Sequence, residues 1–447
     1  MALALHPPLH KSLGSFQPLR AVLDCWRFEG SAAAQLLLQQ LLPEGPAQGL
    51  IGKELRLRLA GVPGPRLLLD GLWFSRPHGG ITRVWEQILR CWQLPGLITP
   101  QAPLAIIDRN SHLSITGSFE NLTGAEVDPL DYSAVEGLSF ENSQLARSWG
   151  ASVFLSSWIS TSEGFDLEPS DFQLPELVLV HDCLPERGSQ DAVLLRQRRR
   201  WLKGARSCLA VSAATAVDLE GLLQMPTGSV PWCHSGPDRI FHATYADSNS
   251  EKLWPPLQER AGLTSPYVLL PATSRPGSYK NPELVAAALQ SPGLEHLQLA
   301  LSGLAAETHC ATLLDQFPHL QGRCFAAGFT DLELALAYRH ALAVVLPSRI
   351  EGFGLPAIEA LASGATVLVA DARGLREAGA GACPRVSTSD PADLAAWLRL
   401  LLDNPSRAWL LPHLQRRAQQ RLQQLHPDLL GLALLALARQ CCGRATN

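Results

Sequence analysis

The chain has 447 residues, 46% of them hydrophobic and 17% charged, more than one hydrophobic core usually serves, so two packed domains are expected. Its 37 Lys and Arg against 41 Asp and Glu exclude the basic field of a nucleic-acid binder, and its apolar content excludes a disordered chain. Ten scattered cysteines with no Cys-x-x-Cys pair argue for reduced thiols in a cytoplasm and against a zinc site.

The opening "MALALHPPLHKSLG" lacks the basic flank, long apolar core and cleavage site of a secretory signal. No stretch reaches the ~20 uncharged apolar residues of a spanning helix. Residues 1–66 are Pro-rich at both ends around a predicted helix "SAAAQLLLQQLL", and read as an extension of unknown role. A regular pattern starts at "RLLLDGLWF", a strand followed by "SRPHGG" and a helix in which Ile81, Val84, Trp85, Ile88, Leu89 and Trp92 recur at helical spacing. "NLT" at Asn121 reads as an ordinary loop tripeptide in a cytoplasmic chain. "LVLVHD" is a buried-type strand running into His181 and Asp182, and "SCLAVSAAT" reads as another strand feeding a loop. The helix around "LRQRRRWLKGAR" carries Arg196, Arg199, Arg200, Lys203 and Arg206 along one stripe; a solvated face is the preferred reading, with peripheral contact to the inner membrane surface kept open.

The polar, proline-bearing stretch after Phe241 is the expected domain boundary, giving a first domain over 67–245 and a second over 262–425. In the second, "YVLLPATS", "LQLALSG", "CFAAGF", "ALAVVLPS" and "ATVLVAD" are predicted strands between the helices "NPELVAAALQ", "TDLELALAYRH" and "PAIEALAS". Residues 426–447, with "PDLLGLALLALARQ", are expected to form a helix crossing back to the first domain. Strand–helix alternation in two blocks implies an α/β architecture of two doubly wound, Rossmann-like domains facing a cleft. Ligands then belong at the carboxyl ends of strands, in the loops after "LLLDGLWF", "LVLV", "YVLLPA" and "AVVLPS".

The last of these loops, "SRIEGFGLPAIEALASG", places Glu351 before a glycine elbow, and Gly352 and Gly354 let backbone approach a ligand closely. The amides of Phe353, Gly354 and Leu355 then face the ligand beside a positive helix end, which suits phosphate or hydroxyl groups. Glu359 falls about one turn into the helix, where it reaches a different part of the same ligand.

These residues carry a resemblance. "PSRIEGFGLPAIEALASGATVLVAD" resembles the glutamate-pair signature of retaining GT-B glycosyltransferases of glycosyltransferase family 4, in its mannosyltransferase-like branch. "LLLDGLWF…HGGITRVWEQIL", "VLVHDCLPE", "AVSAAT", "SGPDRIF", "SYKNPELVAAA" and "AAGFTDLELALAYRHALAVVLPS" are similar to further segments of that family, in its order, over about residues 67–405. The resemblance implies the GT-B fold and transfer of a hexose, with mannose first, to a saccharide or lipid-linked saccharide. The donor would be GDP-mannose or a UDP-sugar as co-substrate, with no metal and no other cofactor.

It further implies that the first domain is the acceptor side and the second binds the nucleotide sugar, and that Glu351 meets the donor sugar, Glu359 the ribose hydroxyls and Lys280 the departing diphosphate. Gly79 and Gly80 would admit the donor phosphates, and His181 would sit over the reacting sugar. The chain departs from the family at Tyr279, where Arg commonly precedes the Lys-Asn turn, and Arg275 is the candidate for that charge. It departs again at Pro271 and Ala272, where a glycine is common. A non-catalytic GT-B carbohydrate binder and a sugar-nucleotide epimerase of similar fold stand as alternatives.

Overall fold

The computed structural model describes residues 16–41, 49–77, 79–159, 174–242, 251–264 and 266–443. The chain divides into two compact units, the first running to Ser235 and resuming at Pro427, the second spanning Gly236–His426.

In the first unit six short strands, β1 (Leu67–Asp70), β2 (Leu104–Asp108), β3 (Glu120–Thr123), β4 (Val153–Ser156), β5 (Glu176–Val180) and β6 (Ser207–Ala210), form one parallel sheet in the order β3-β2-β1-β4-β5-β6. Leu67 pairs with Leu104 on one side and Val153 on the other. The four residues of β1 and of β4 are all buried, as expected where helices cover both faces. The predicted strand "LLLDGLWF" ends at Asp70, and Leu72–Ser75 winds into a 3-10 turn. "SCLAVSAAT" likewise keeps only its first four residues as strand, because the Ser212 hydroxyl accepts from the Thr215 amide and starts the helix Ala213–Leu223. Asn121 lies in β3, an edge strand and not a loop.

The N-terminal residues are part of this unit's core. Helices Phe16–Glu29, Ser31–Leu41 and Gly49–Leu59 bury Leu19, Leu23, Trp26, Ile51 and Leu55, and Trp26 Nε1 donates to Pro95 O at 2.9 Å. Glu54, 2% exposed, receives Arg58 at 2.7 Å and Arg439 at 2.5 Å, while Arg27 meets Asp428 at 2.5 Å. The long-range pairs join the first helices to the helix Leu429–Gly443 and to Asp428 just before it; the helix belongs to the first unit and buries every residue from Leu429 to Ala438. Trp92 Nε1 donates to the backbone oxygen of Gly431 in that helix at 3.0 Å. On the basic helix Ala192–Gly204, Arg196, Arg199 and Lys203 face outward, whereas Arg198 is buried against Glu186 at 2.6 Å.

The second unit repeats the design with β7 (Tyr267–Leu270), β8 (Gln298–Ser302), β9 (Cys324–Ala327), β10 (Ala343–Leu346), β11 (Val367–Ala370) and β12 (Arg385–Val386), all parallel in the order β12-β11-β10-β7-β8-β9. The helix Asp331–His340 opens on a capping box, Thr330 accepting from the Glu333 amide and Glu333 from the Thr330 amide. The division between units falls after Ser235, upstream of the expected boundary, because Phe241 is buried against Tyr338 with ring centroids 6.0 Å apart. Strand order reverses between β7 and β10, which opens a crevice at their carboxyl ends. Among the described residues no helix is long and apolar enough to cross a membrane.

Candidate functional site

The crevice beside β7 and β10 collects most of the residues singled out in the second half of the sequence. Chain leaving β7 turns through Ser278–Asn281 and enters the helix Pro282–Ala288; chain leaving β10 passes Ser348 and Glu351 and enters the helix Leu355–Ala362. Lys280 Nζ and Glu351 Oε1 meet at 2.6 Å, with side chains 19% and 12% exposed, so residues from two loops become one half-buried ion pair. The Tyr279 ring, standing where an arginine was expected, lies 5.2 Å from Lys280 Nζ and presents a π face to the ammonium.

The glycine elbow is required by its surroundings. Gly354 holds φ +112°, and a Cβ there would come within 2.7 Å of Leu375 Cδ2. Phe353 is buried, and Gly352 and Leu355 are partly exposed. Glu359 is fully buried, one turn into the helix. Ala272, at the flagged departure from the family, takes φ +50°, a left-handed conformation that glycine adopts more readily.

No motif marks the links between the two loops, although Asn281 belongs to the Lys-Asn turn. Arg349 donates to Ser278 O at 3.1 Å, Asn281 Oδ1 at 2.6 Å and Glu283 Oε1 at 3.1 Å, and the Arg349 amide donates to Tyr279 O at 2.8 Å. Asn281, at φ +57°, donates through Nδ2 to Pro347 O at 3.1 Å and Thr388 O at 2.9 Å. Together they tie the Lys280 turn to the Glu351 loop. Arg275 is exposed and makes no ion pair among the described residues, while the Arg349 guanidinium sits on the turn itself. Thr273 Oγ1, just past β7, is buried without a hydrogen-bond partner among the described residues.

In the first unit, Gly79 precedes and Gly80 begins the helix Gly80–Trp92. Gly79 has extended φ, and a Cβ at Gly80 would meet nothing within 4 Å among the described residues, so crowding from those residues does not demand a glycine at either position. His181 follows β5 directly. Its Nε2 is shielded from solvent and without a partner among the described residues. Burial first, and the Arg198 charge second, push its pKa down to about 3, so the ring is neutral at physiological pH.

Residues 260–421 match the family described as glycosyl transferases group 1. That region contains the Lys280–Glu351 pair and the whole elbow. Among curated proteins, glycogen synthase of Mycobacterium tuberculosis is 37% identical over 115 residues, 24% of this chain and 25% of its own length. An MMP α-(1→4)-mannosyltransferase of Mycolicibacterium hassiacum is 41% identical over 83 residues, 18% of this chain and 20% of its own. The matches thus span a quarter or less of these relatives. Among solved structures, sucrose-phosphate synthase from Thermosynechococcus elongatus superposes with TM-score 0.64 at 19% identity, over 86% of this chain and 100% of that one. Anabaena HepE, in complex with UDP and glucose, superposes with TM-score 0.59 at 16% identity, over 86% and 99%. The fold, two six-stranded parallel α/β sheets, is that of GT-B glycosyltransferases.

Proposed function

We propose that the chain is a retaining glycosyltransferase that moves a hexose, mannose first, from a nucleotide sugar to a saccharide or lipid-linked saccharide. The observation that carries this reading is the Lys280–Glu351 pair at 2.6 Å beside an amide-lined elbow, at the carboxyl edge of a sheet where strand order reverses. The donor diphosphate lies against Lys280 and the Phe353, Gly354 and Leu355 amides, with Arg275 as the second charge. Glu351 accepts hydrogen bonds from the sugar, and Glu359 from the ribose. In the other unit Gly79 and Gly80 admit the phosphates, and among the described residues nothing crowds them. His181, neutral, offers a hydrogen bond through its unpartnered ring edge; with a pKa near 3 it orients the sugar and does not shuttle protons.

The bond from the anomeric carbon to the leaving phosphate oxygen breaks as a bond to the acceptor hydroxyl forms on the same face. The acceptor proton passes to the departing phosphate, so no protein base is needed. A retaining glycosidase would instead require two carboxyl groups ~5 Å apart. Glu351 is engaged with an ammonium instead of a second acid. Charge on the diphosphate is met by Lys280 and by helix and amide dipoles, without a metal.

The test is a donor panel of GDP-mannose, UDP-glucose, UDP-GlcNAc and UDP-galactose, read as nucleotide release. One donor should turn over, Lys280→Ala and Glu351→Ala should each lower kcat by about 10²–10³-fold, and chelation of divalent ions should leave the rate unchanged. The reading is abandoned if no donor is turned over and neither GDP nor UDP raises the melting temperature; a strict metal requirement refutes the metal-free step.

A further inference from the structure

Two thiols of the second unit touch, and the donor chemistry uses neither. Cys310 lies on the helix Ala306–Gln316, Cys324 opens β9, and their sulfurs stand 3.2 Å apart in a buried contact. Closing that gap by about 1 Å brings the sulfurs to bonding distance.

The contact is held from both sides. The 3-10 turn Pro318–Leu320 joins helix to strand with Leu320 fully buried, and Arg323 donates to Leu294 O at 3.0 Å, Leu297 O at 3.1 Å and His319 O at 3.2 Å. Cys324 itself is in register with Leu299 of β8. The sulfurs therefore meet between two anchored elements, and no loose loop has to order to bring them together. β9 is also the last strand of its sheet, and edge strands open locally more readily than central ones. At 7% and 8% exposure Cys310 and Cys324 keep some contact with solvent, whereas Cys91 and Cys233 have none.

Reactivity also sets the pair apart. The hydrogen bond from the Cys324 thiol holds Cys310 below the usual thiol range, against the opposing effect of burial, and the same bond holds Cys324 well above it. Burial pushes Cys183, Cys208, Cys233 and Cys383 up to about 12, which leaves them protonated and inert at neutral pH. We propose that Cys310 and Cys324 are an oxidant-responsive pair, joined into a disulfide by a hydroperoxide and reopened by a dithiol, that staples the edge strand to the helix before it. The Cys310 sulfur attacks one peroxide oxygen; an S–O bond forms as the O–O bond breaks, leaving a sulfenic acid and an alcohol, or water where the oxidant is hydrogen peroxide. The Cys324 sulfur then displaces the hydroxyl; the S–S bond forms as the S–O bond breaks, and water leaves with the Cys324 proton. Two electrons pass from the sulfurs to the peroxide. The bridge closes residues 310–324 into a loop and so restricts the unfolded chain. Neither step calls on Lys280, Glu351 or a nucleotide.

The test treats the full chain with hydrogen peroxide or tert-butyl hydroperoxide, blocks the remaining thiols and digests with trypsin. Cleavage at Arg323 separates residues 281–323 from 324–339, each with one cysteine, so the bridge shows as these two peptides held together. It should form before Cys208 and Cys442 are oxidised, although both are more exposed, and should vanish with dithiothreitol. Oxidation should raise the melting temperature by about 5–10 °C, and reduction should return it. Cys324→Ser should stop at a Cys310 sulfenic acid that dimedone traps, and Cys310→Ser should give neither a bridge nor a label on Cys324. If a serine variant fails to fold, the peptide map and melting curve of the unaltered chain decide. The inference is overturned by the absence of the linked peptides once Cys208 and Cys442 are oxidised, by a bridge from either residue to another cysteine, by a dimedone label on Cys324, or by a bridge that leaves melting unchanged.

Discussion

Arg349 binds no acid of the elbow; it holds the turn that presents Lys280. Its partners Ser278, Asn281 and Glu283 lie 71, 68 and 66 residues upstream, so no reading of the local motif could single it out. Lys280 and Glu351 were legible because each sits in a short pattern of its own, whereas a guanidinium whose meaning lies in a distant backbone oxygen leaves no such pattern. Because the Arg349 side chain is 45% exposed, its pair with Glu283 adds little stability. Arg349→Ala should therefore leave the melting temperature within a few degrees of wild type while weakening nucleotide binding about tenfold. Arg349→Lys should not restore it, since an ammonium cannot span Ser278 O and Asn281 Oδ1 as the planar fork does. Full affinity in the Ala variant, measured by calorimetry with GDP and UDP, would show that the turn holds itself.

Among elements, the helix Arg373–Gly379 is the unadvertised support of the site. A Cβ on Gly374 would stand 2.2 Å from Glu351 O and 2.8 Å from Glu351 C, both backbone atoms that cannot swing away. Gly374→Ala should push the Glu351 loop out of line, destabilise the second unit by about 1–3 kcal/mol and lower nucleotide release at least as much as the melting curve suggests. A variant with wild-type melting and turnover would mean that the helix gives way and the loop does not. In the second unit all strands but the two-residue β12 were legible, because β7, β10 and β11 are unbroken apolar runs and β8 holds the run Leu299–Leu301 between Gln298 and Ser302. In the first unit β2, β3 and β4 escaped. β3 is "ENLT", mostly exposed at a sheet edge, so it has no apolar alternation to read, and the four-residue β4 follows a longer helical pattern that masks it.

At the scale of the molecule, the alternating pattern showed two α/β blocks but not the place of the first 66 residues. Their helices are short, and their partners are supplied by Asp428 and Arg439, some four hundred residues downstream. The helix Leu429–Gly443 buries six leucines in the first unit, at about 1.5–3 kcal/mol apiece, a sum comparable with the ~5–15 kcal/mol that holds a whole domain together. Removing residues 429–447 should abolish the first unit's cooperative transition in calorimetry and leave that of the second unit in place. An unchanged thermogram would show the helix to be dispensable.

The return of the chain to its first unit also sets an order of manufacture. A ribosome finishes Gly236–His426 before it makes Leu429–Gly443, so the unit begun first is completed last. Any chain terminated between the two emerges with its Lys280–Glu351 crevice built and with Glu54 still waiting for Arg439.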